Sequence, residues 1–288
     1  MEITRIAVLG AGLMGHGIAQ VSAQVAKYEV AIRDVKQEFL DRGMGMIRNS
    51  LAKFVEKQVV SEQHMKETMA RINSTLDMKE AVEQADLIIE AVPENLKIKK
   101  AVLTEADRYA KEDAIITSNT SSISITELAS SIQRPEKFCG MHFFNPPQLM
   151  KLVEIIRGAK TSDETVDAVV AVSHRMGKET VVVKKDSAGF IVNRILVPAL
   201  NEAFNLVWEG IADPEDIDKA IKLGLNWPMG PITLVDYLGI DTTLAIAEVL
   251  QNELGPKYSP SPLLRQMTRA KLFGRKSGKG FYDWTKKR

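Results

Sequence analysis

The chain has 288 residues, enough to bury a large core and, at usual domain sizes, to form two domains. Its 38 basic and 37 acidic residues leave a net charge of +1, which argues against a nucleic-acid or membrane-surface partner. The single cysteine, Cys139, excludes an internal disulfide, and no metal site is expected. The chain starts without a signal-peptide pattern and has no apolar run of membrane-spanning length, so we expect a cytoplasmic protein.

The first predicted elements are a strand, a glycine turn and a helix. The apolar run "RIAVLG" ends at Gly10, and a helical pattern follows at once in "AGLMGHGIAQVSAQVA". Gly10, Gly12 and Gly15 form G-x-G-x-x-G between them, which lets the backbone approach a pyrophosphate seated on the helix N-terminus. An ordinary turn in a strand–helix–strand unit could carry the same glycines, so further support is needed.

The next predicted strand, "YEVAIRD", supplies that support. It ends in Asp34, where an acid would bind an adenosine ribose and repel a 2′-phosphate. We therefore predict NAD rather than NADP as the cofactor. Arg33, beside it, leaves partial accommodation of a 2′-phosphate open.

An unusually long connection follows Asp34. About fifty residues precede the next clear strand, "ADLIIEAV", although a parallel crossover needs far fewer. Their apolar spacing predicts two helices, residues 37–56 and 61–72, which would form a hairpin projecting from the sheet. Lys53 and Lys57 lie one turn apart on one face; such charges are usually only solvated, unless the ligand carries phosphates.

Polar side chains follow several of the predicted strands. Glu94 comes after "DLIIEAV", Ser121 after "AIITSN", and His142 lies at the end of "FCGMHFF". In an open α/β sheet the ligand crevice lies beyond the carboxyl ends of the strands. We therefore expect these residues to gather at one edge of the sheet, together with Gly10 and Asp34.

The stretch "MHFFNPPQLMKLVEII" places His142 inside an apolar strand, where a histidine is usually a core residue with satisfied nitrogens. Strands over residues 138–144 and 150–157, paired antiparallel about Gln148, would set Glu154 directly opposite it. A buried carboxylate needs a partner, and an imidazole N–H is a natural one. The stretch therefore predicts a His–Glu pair of the kind that fixes an imidazole tautomer for proton transfer.

The remainder of the chain defines the predicted fold class. "ETVVVKK" completes the sheet, and the last hundred or so residues show helical periodicity with little strand signal. We predict an α/β, Rossmann-type doubly wound, mostly parallel sheet with an inserted helical hairpin over residues 1–185, followed by an all-helical domain over residues 186–288. Apolar faces such as "LVPALNEAFNLVW" could close a dimer or pack internally.

Six motifs, spread over essentially the whole chain, carry a family resemblance. They are "GAGLMGHGIAQ", "EAVPEN", "SNTSS", "MHFFNPPQLMKLVEII", "GFIVNRIL" and "GRKSGKGFYDW". With these motifs the chain resembles the short-chain 3-hydroxyacyl-CoA dehydrogenases, nearest to the bacterial 3-hydroxybutyryl-CoA dehydrogenases. The resemblance implies an NAD-dependent oxidoreductase of fatty acid or butanoate metabolism that interconverts a short (S)-3-hydroxyacyl-CoA and the 3-ketoacyl-CoA. It also implies a homodimer formed through the helical C-terminal domain.

The resemblance further implies a role for individual residues. His142 is expected to be the catalytic base, Glu154 its partner, and Ser121 and Asn193 hydrogen-bond donors to the substrate oxygen. The acyl-CoA substrate is expected to meet the helical hairpin, at Ser50 and Lys57. The expected NAD contacts are Gly10, Gly12, Leu13, Met14, Gly15, Asp34, Glu94, Lys99 and Asn145.

Two departures from the family pattern affect the backbone. Lys27 and Tyr28 stand where a glycine commonly ends the first helix, so the left-handed position is either absent or strained. Gln148 stands where a proline is frequent. Two rival functions also stay open at this point: an inactive NAD-binding regulatory module, and a dehydrogenase of similar plan that acts on a free acid or a sugar acid.

Overall fold

The computed structural model describes residues 2–286, which form two compact units; the first ends at Ser187 and the second begins at Ala188. The first unit is built on an eight-stranded sheet in the order β3-β2-β1-β4-β5-β6-β7-β8. Its strands are β1 Arg5–Leu9, β2 Glu29–Arg33, β3 Ile72–Thr75, β4 Leu87–Glu90, β5 Ile115–Ser118, β6 Phe138–Phe143, β7 Leu152–Arg157 and β8 Glu179–Val183.

All neighbouring strands are parallel except β6 and β7, which form an antiparallel hairpin. The central strands β4 and β5 are buried along their whole length, as expected for parallel strands covered by helices on both faces. The carboxyl ends of β1, β2, β4 and β5 therefore meet at one edge, and β6 reaches the same edge with His142 as its penultimate residue. The predicted fold class is confirmed.

The helices of the first unit cover both faces of the sheet. They are α1 Gly15–Gln24, α2 Gln37–Glu56, α3 Glu62–Ala70, α4 Met78–Val82, α5 Leu96–Tyr109, α6 Ile125–Ala129 and α7 Asp163–Arg175. Side-chain N-caps start several of them; Asn95 caps α5 by accepting from the Ile98 N–H at 3.1 Å, and Ser124 caps α6. Every residue of α1 is buried, so this helix lies inside the unit.

Strand β3 was not predicted. The second helix of the hairpin was expected to run to Ile72, but α3 ends at Ala70 and Ile72 begins a strand that pairs with β2. Only Ile72 is buried in this four-residue edge strand, so its sequence carries almost no hydrophobic signal. Pairing with a neighbour that lies far away in the chain decides its conformation.

The structure shows how the chain ends α1 without the glycine that is common at this position. Lys27 adopts the left-handed conformation, with φ of 60°, and the Tyr28 N–H donates to the carbonyl of Ser22 at 3.1 Å. The position that a glycine would fill is therefore present and occupied by a lysine, at a backbone cost of about 1 kcal/mol. Tyr28 is buried, and the guanidinium of Arg175 stacks over its ring at 4.6 Å.

The described part of the second unit is helical. Its α-helices are α8 Val192–Trp208, α9 Pro214–Leu225, α10 Pro231–Leu238, α11 Ile240–Leu254 and α12 Pro262–Arg269. Leu200, Phe204 and Val235 are fully buried in a core shared by several of these helices. The carboxylate of Asp236 accepts hydrogen bonds from the C-terminal segment, including the indole N–H of Trp284 at 2.8 Å. Among residues 2–286, no helix has the length and apolarity needed to cross a bilayer.

Candidate functional site

The turn between β1 and α1 requires glycine at two positions. Gly10 has φ of 106°, and a Cβ there would lie 2.6 Å from the carbonyl oxygen of Ala91. A Cβ on Gly15 would lie 1.7 Å from the carbonyl oxygen of Gly10. No side chain fits at either place, so the tight turn and the close packing of α1 against β1 both depend on these glycines.

Gly12 has the opposite surroundings, since a Cβ there would meet nothing within 4 Å. The backbone at Gly12 therefore borders open space beside the N-terminus of α1, where amide groups point outward and the helix dipole favours an anion. Leu13 is exposed, and Met14 is half-buried against the core. This loop fits the diphosphate of a dinucleotide, which needs backbone access and no negative side chain.

Asp34 follows β2 and faces this glycine loop. One carboxylate oxygen accepts from the Ala11 N–H at 2.8 Å and the other from the Val35 N–H at 2.7 Å. The side chain is thereby fixed beside the loop, with remaining lone pairs that can accept from ribose hydroxyls. The Nε of Arg33 donates to the carbonyl of Leu76 at 3.2 Å, so this arginine is tied to its own unit. A fixed carboxylate acceptor at this position fits the adenosine ribose of NAD.

Glu94 lies between β4 and α5 and binds what we call the serine loop, residues Thr120–Ser122. Its Oε1 accepts from the hydroxyl of Thr120 at 2.6 Å and from the N–H of Ser121 at 2.9 Å and of Ser122 at 3.1 Å. The Ser121 hydroxyl is 3.2 Å from the same oxygen. Burial acts to raise the pKa of Glu94, but Lys99 and these hydrogen bonds outweigh it and hold the pKa below its usual value.

Lys99, expected at the cofactor, has only 1% of its side chain exposed. Its ammonium lies 2.7 Å from Glu90 and 3.3 Å from Glu94, inside the carboxyl edge of the sheet. The structure thus brings Lys99 and Glu94 together, and it adds Glu90, which was not predicted as a site residue. A contact between Lys99 and NAD stays a prediction.

His142 and Glu154 are directly opposed across the β6–β7 hairpin, in the predicted register. The Nδ1 of His142 is 2.8 Å from Oε2 of Glu154; His142 is 6% exposed and Glu154 is fully buried. Because a carboxylate oxygen accepts, Nδ1 carries the proton of this bond, and the neutral ring then has its lone pair on Nε2. The ring of Phe144 packs 4.6 Å from the imidazole.

Asn119, which was not predicted, supports the strand that carries His142. Its side-chain Oδ1 accepts from the N–H of Phe143 at 2.8 Å, beyond the point where the β5–β6 ladder ends at Ser118 and Gly140. Its own N–H donates to the carbonyl of Glu90 at 2.8 Å. The motif "SNTSS" contained this residue, but nothing in the sequence distinguishes an asparagine that extends a ladder from one that only forms a turn.

Lys178 stabilises the turn between β6 and β7 through hydrogen bonds to its backbone. This buried ammonium donates to the carbonyls of Pro147 and, at 2.8 Å, Met150, and burial lowers its pKa.

Asn145, an expected NAD contact, is exposed at the start of the turn. Gln148, the residue that replaces a frequent proline, lies 3.5 Å from the hydroxyl of Ser50 on α2. The expected coenzyme A residue Ser50 is therefore next to the β6–β7 hairpin.

The other expected substrate residues lie on two different elements. Lys57 caps the C-terminus of α2 and is exposed, as is Lys53 one turn earlier. Asn193 lies in the first turn of α8, in the second unit. The roles of Lys57, Ser50 and Asn193 stay predictions.

Comparisons with known proteins indicate one family over nearly the whole chain. The family model described as 3-hydroxyacyl-CoA dehydrogenase, NAD binding domain, matches residues 5–187, and the C-terminal domain of the same family matches residues 189–284. A probable 3-hydroxybutyryl-CoA dehydrogenase of Deinococcus radiodurans is 50% identical over 97% of this chain and 100% of its own length. A 3-hydroxybutyryl-CoA dehydrogenase of Clostridioides difficile is 44% identical over 98% of this chain and 100% of its own length. The crystal structure of an (S)-3-hydroxybutyryl-CoA dehydrogenase from Ralstonia eutropha superposes with a TM-score of 0.94 at 44% identity, covering 99% of this chain and 100% of that one.

Proposed function

The chain belongs to the 3-hydroxyacyl-CoA dehydrogenase family, whose members are NAD-dependent oxidoreductases, and on that premise we propose that it interconverts (S)-3-hydroxybutyryl-CoA and acetoacetyl-CoA. We place this reaction in fatty acid or butanoate metabolism. The observation that carries the proposal is the buried pair of His142 and Glu154 at the edge of the sheet that also bears the glycine loop.

His142 is the general base in the oxidation direction. The O–H bond of the substrate breaks, its proton passes to Nε2 of His142, and the electron pair on oxygen forms the carbonyl as the C3–H bond breaks. The glycine loop and Asp34 would hold NAD, which would supply the acceptor for the hydride that leaves C3. In the opposite direction the imidazolium of His142 returns the proton to the 3-keto oxygen.

Glu154 makes this exchange possible because it holds one tautomer and stabilises the imidazolium. Its oxygen accepts the Nδ1 proton at 2.8 Å, and burial keeps water from competing for that bond. Ser121 and Asn193 are proposed to donate hydrogen bonds to the reacting oxygen as it gains or loses charge.

The glycine loop and Asp34 support NAD rather than NADP. The Asp34 carboxylate is fixed by two backbone N–H groups, so it would face a 2′-phosphate with a charge of the same sign. We expect a higher kcat/KM with NADH than with NADPH, and the reverse preference would reject this assignment.

The hairpin of α2 and α3 is proposed to bind the coenzyme A moiety. Lys57 and Lys53 are exposed cations on one face of α2, and Ser50 lies on the same face next to Gln148. The phosphates of coenzyme A carry several negative charges that can pair with such cations, whereas a free 3-hydroxy acid or a sugar acid has only its carboxylate.

We also propose that two copies of the chain pair through the second unit, as the family resemblance led us to expect. Several large apolar side chains of that unit are exposed, which is typical of a surface that another protein covers. The most exposed are Leu223 at 76%, Ile195 at 70%, Ile211 at 63%, Leu225 at 61% and Trp208 at 53%. Light scattering should give the mass of two chains, and a single-chain mass at micromolar concentration would contradict a dimer.

The reaction is tested by following NADH absorbance with acetoacetyl-CoA, and with acetoacetate as the matched substrate without coenzyme A. Rapid oxidation of NADH with the thioester alone supports the proposal. Equal activity with acetoacetate would favour a dehydrogenase of free acids, and NADH binding without turnover of either compound would indicate an inactive NAD-binding module.

A further inference from the structure

A second buried acid–base pair, Glu90 and Lys99, lies beside the proposed site but has no part in the chemistry given above. Glu90 is the last residue of β4 and is fully buried, and Lys99 is on the inner face of α5 with 1% of its side chain exposed. A buried pair of opposite charges is weak evidence for stability, because the loss of hydration offsets much of the attraction. The position of this pair next to the proposed site points instead to a role in holding neighbouring groups in place.

The Lys99 ammonium has three partners within the chain, two hydrogen-bond acceptors and one further carboxylate at ion-pair distance. These are Oε1 of Glu90 at 2.7 Å, the carbonyl of Val92 at 3.2 Å and Oε2 of Glu94 at 3.3 Å. Only 1% of the Lys99 side chain is exposed, and of these three partners Glu94 is the one that also contacts the serine loop. Lys99 therefore reaches the site through Glu94.

Glu90 is anchored equally firmly. Its Oε2 accepts from the hydroxyl of Ser118 at 2.6 Å, and its Oε1 accepts from the N–H of Val92 at 2.7 Å as well as from Lys99. These partners come from β5, from the loop after β4 and from α5, so three elements meet on one carboxylate. Burial raises the pKa of Glu90, against the opposing effects of Lys99 and Ser118.

Glu94 connects this pair to the reaction. One of its oxygens faces Lys99, while the other accepts from all three residues of the serine loop, including the N–H and hydroxyl of Ser121. About 37% of the Glu94 side chain is exposed, so packing alone does not fix its position. The ammonium of Lys99 supplies the missing constraint from the inner side.

We propose that Glu90 and Lys99 are positioning residues for the dehydrogenase reaction: they hold the Glu94 carboxylate against the serine loop and thereby set the position of Ser121. The inference rests on the proposed function, in which Ser121 bonds the reacting oxygen, and on the family resemblance, which implies that Glu94 meets the cofactor. A displacement of about 1 Å at such a site is enough to reduce a rate by roughly 100-fold. The pair acts on catalysis without touching the substrate.

The test uses the full chain with Glu90→Gln and Lys99→Met combined. Either single replacement leaves a charge buried without its partner, whereas the double one removes both charges and leaves an amide that still accepts from Val92 and meets Ser118. The matched control is Lys100→Met with Glu127→Gln, which removes an ion pair of 2.9 Å between the same residue types, one position further along α5. The control pair does not contact Glu94.

We expect the double variant to fold, and we expect three changes that the control does not show. The kcat for acetoacetyl-CoA falls roughly 10- to 100-fold. The Kd for NADH, measured by fluorescence titration, rises, while the KM for acetoacetyl-CoA stays within about 2-fold because the α2–α3 hairpin is untouched. Hydrogen exchange at the amides of Ser121 and Ser122 becomes faster, because both donate to Glu94.

A folded double variant with normal kcat and normal protection of these amides overturns the proposal. A lower Tm with unchanged turnover per folded molecule also overturns it, since that result describes a purely structural pair. If the unsubstituted enzyme does not turn over acetoacetyl-CoA, the proposed function fails, while the hydrogen-exchange comparison, which needs no substrate, still decides whether the pair holds the serine loop.

Discussion

Two buried acid–base pairs lie at the same edge of one sheet and differ in what they can do. The pair of His142 and Glu154 spans 2.8 Å between two strands, and the pair of Lys99 and Glu90 spans 2.7 Å between a helix and a strand. Imidazole exchanges its proton readily near neutral pH, whereas an ammonium group stays charged there. Similar burial and similar distance are therefore proposed to serve proton transfer in one pair and fixed geometry in the other.

The surroundings of the two pairs reinforce this difference. Lys99 donates to Glu90 and to the carbonyl of Val92 and lies 3.3 Å from the Glu94 carboxylate, so its ammonium is fixed in place. Nδ1 of His142 is bound to Glu154, and Nε2 is the nitrogen that the proposed reaction uses. A pair that moves a proton needs one position for exchange, and a pair that only positions does not.

The largest effect is expected from breaking the His142 pair. Glu154→Gln keeps the volume but replaces the carboxylate with an amide, so imidazole orientation and imidazolium stabilisation both suffer. We expect kcat to fall by ~10² to 10⁴-fold for this variant and for His142→Gln. Because the residues act as one unit, the double variant should be little worse than the worse single one. Single-turnover rates and Tm are measured on the same preparations, and near-normal turnover in folded His142→Gln would identify a structural histidine.

Breaking the other pair should damage stability more than breaking the first. Lys99→Met leaves Glu90 and Glu94 facing each other without a cation, and we expect a loss of about 3–5 kcal/mol in the free energy of unfolding. Glu154→Gln replaces one charge-assisted hydrogen bond by a neutral one, and we expect a loss of only about 1–3 kcal/mol. Urea unfolding of both variants measures the difference. Equal losses in the free energy of unfolding would contradict the expected difference between the two pairs.

Asn119 joins the two regions and should give an intermediate effect. Asn119→Ala leaves the N–H of Phe143 without its acceptor, at a cost of about 1–3 kcal/mol, and loosens the strand next to His142. Asn119→Asp keeps an oxygen in place and should retain most of the stability that the alanine variant loses. Tm and kcat of the two variants are compared, and equal losses in both would argue against the ladder-extending bond.

Lys57 belongs to neither pair and should affect binding alone. Lys57→Ala should raise the KM for acetoacetyl-CoA by about 2- to 5-fold at low salt, because an exposed charge contact contributes at most about 1 kcal/mol. The effect should shrink at high salt, and the KM for NADH should hardly change. Steady-state kinetics at two ionic strengths measure this. A fall in kcat at constant KM would give the hairpin a different role.

The smallest effect is expected at Cys139, three residues before His142 on the same strand. Burial raises the pKa of its thiol to about 12, so almost no thiolate is present at neutral pH. Iodoacetamide should leave the native protein unmodified and fully active, as followed by intact mass. Rapid alkylation of the folded enzyme would show that β6 opens. The strand that carries His142 would then not be a rigid support for the pair of His142 and Glu154.

Local patterns in the sequence were sufficient for the family, the fold class, the glycine turn and the alignment of His142 with Glu154. Each of these depends on motifs or patterns whose own residues are close in the chain. A turn of a few residues fixes the hairpin register, so Gln148 at its centre places the two side chains opposite each other. The same reasoning missed β3, because a short edge strand with one buried residue is specified by its neighbour β2 and not by its own composition.

Only the tertiary structure decided which lysine of α5 is buried. Lys97, Lys99 and Lys100 follow one another closely in the motif that opens this helix, and their chemistry is identical. The rotation of α5 against the sheet turns Lys99 toward Glu90 and Glu94, leaves Lys97 exposed, and places Lys100 against Glu127. That rotation is set by the packing of the whole helix on β4, so no local pattern contains it. The sequence by itself thus determined the pair formed by neighbouring strands, whereas the pair between strand and helix depended on how distant elements pack.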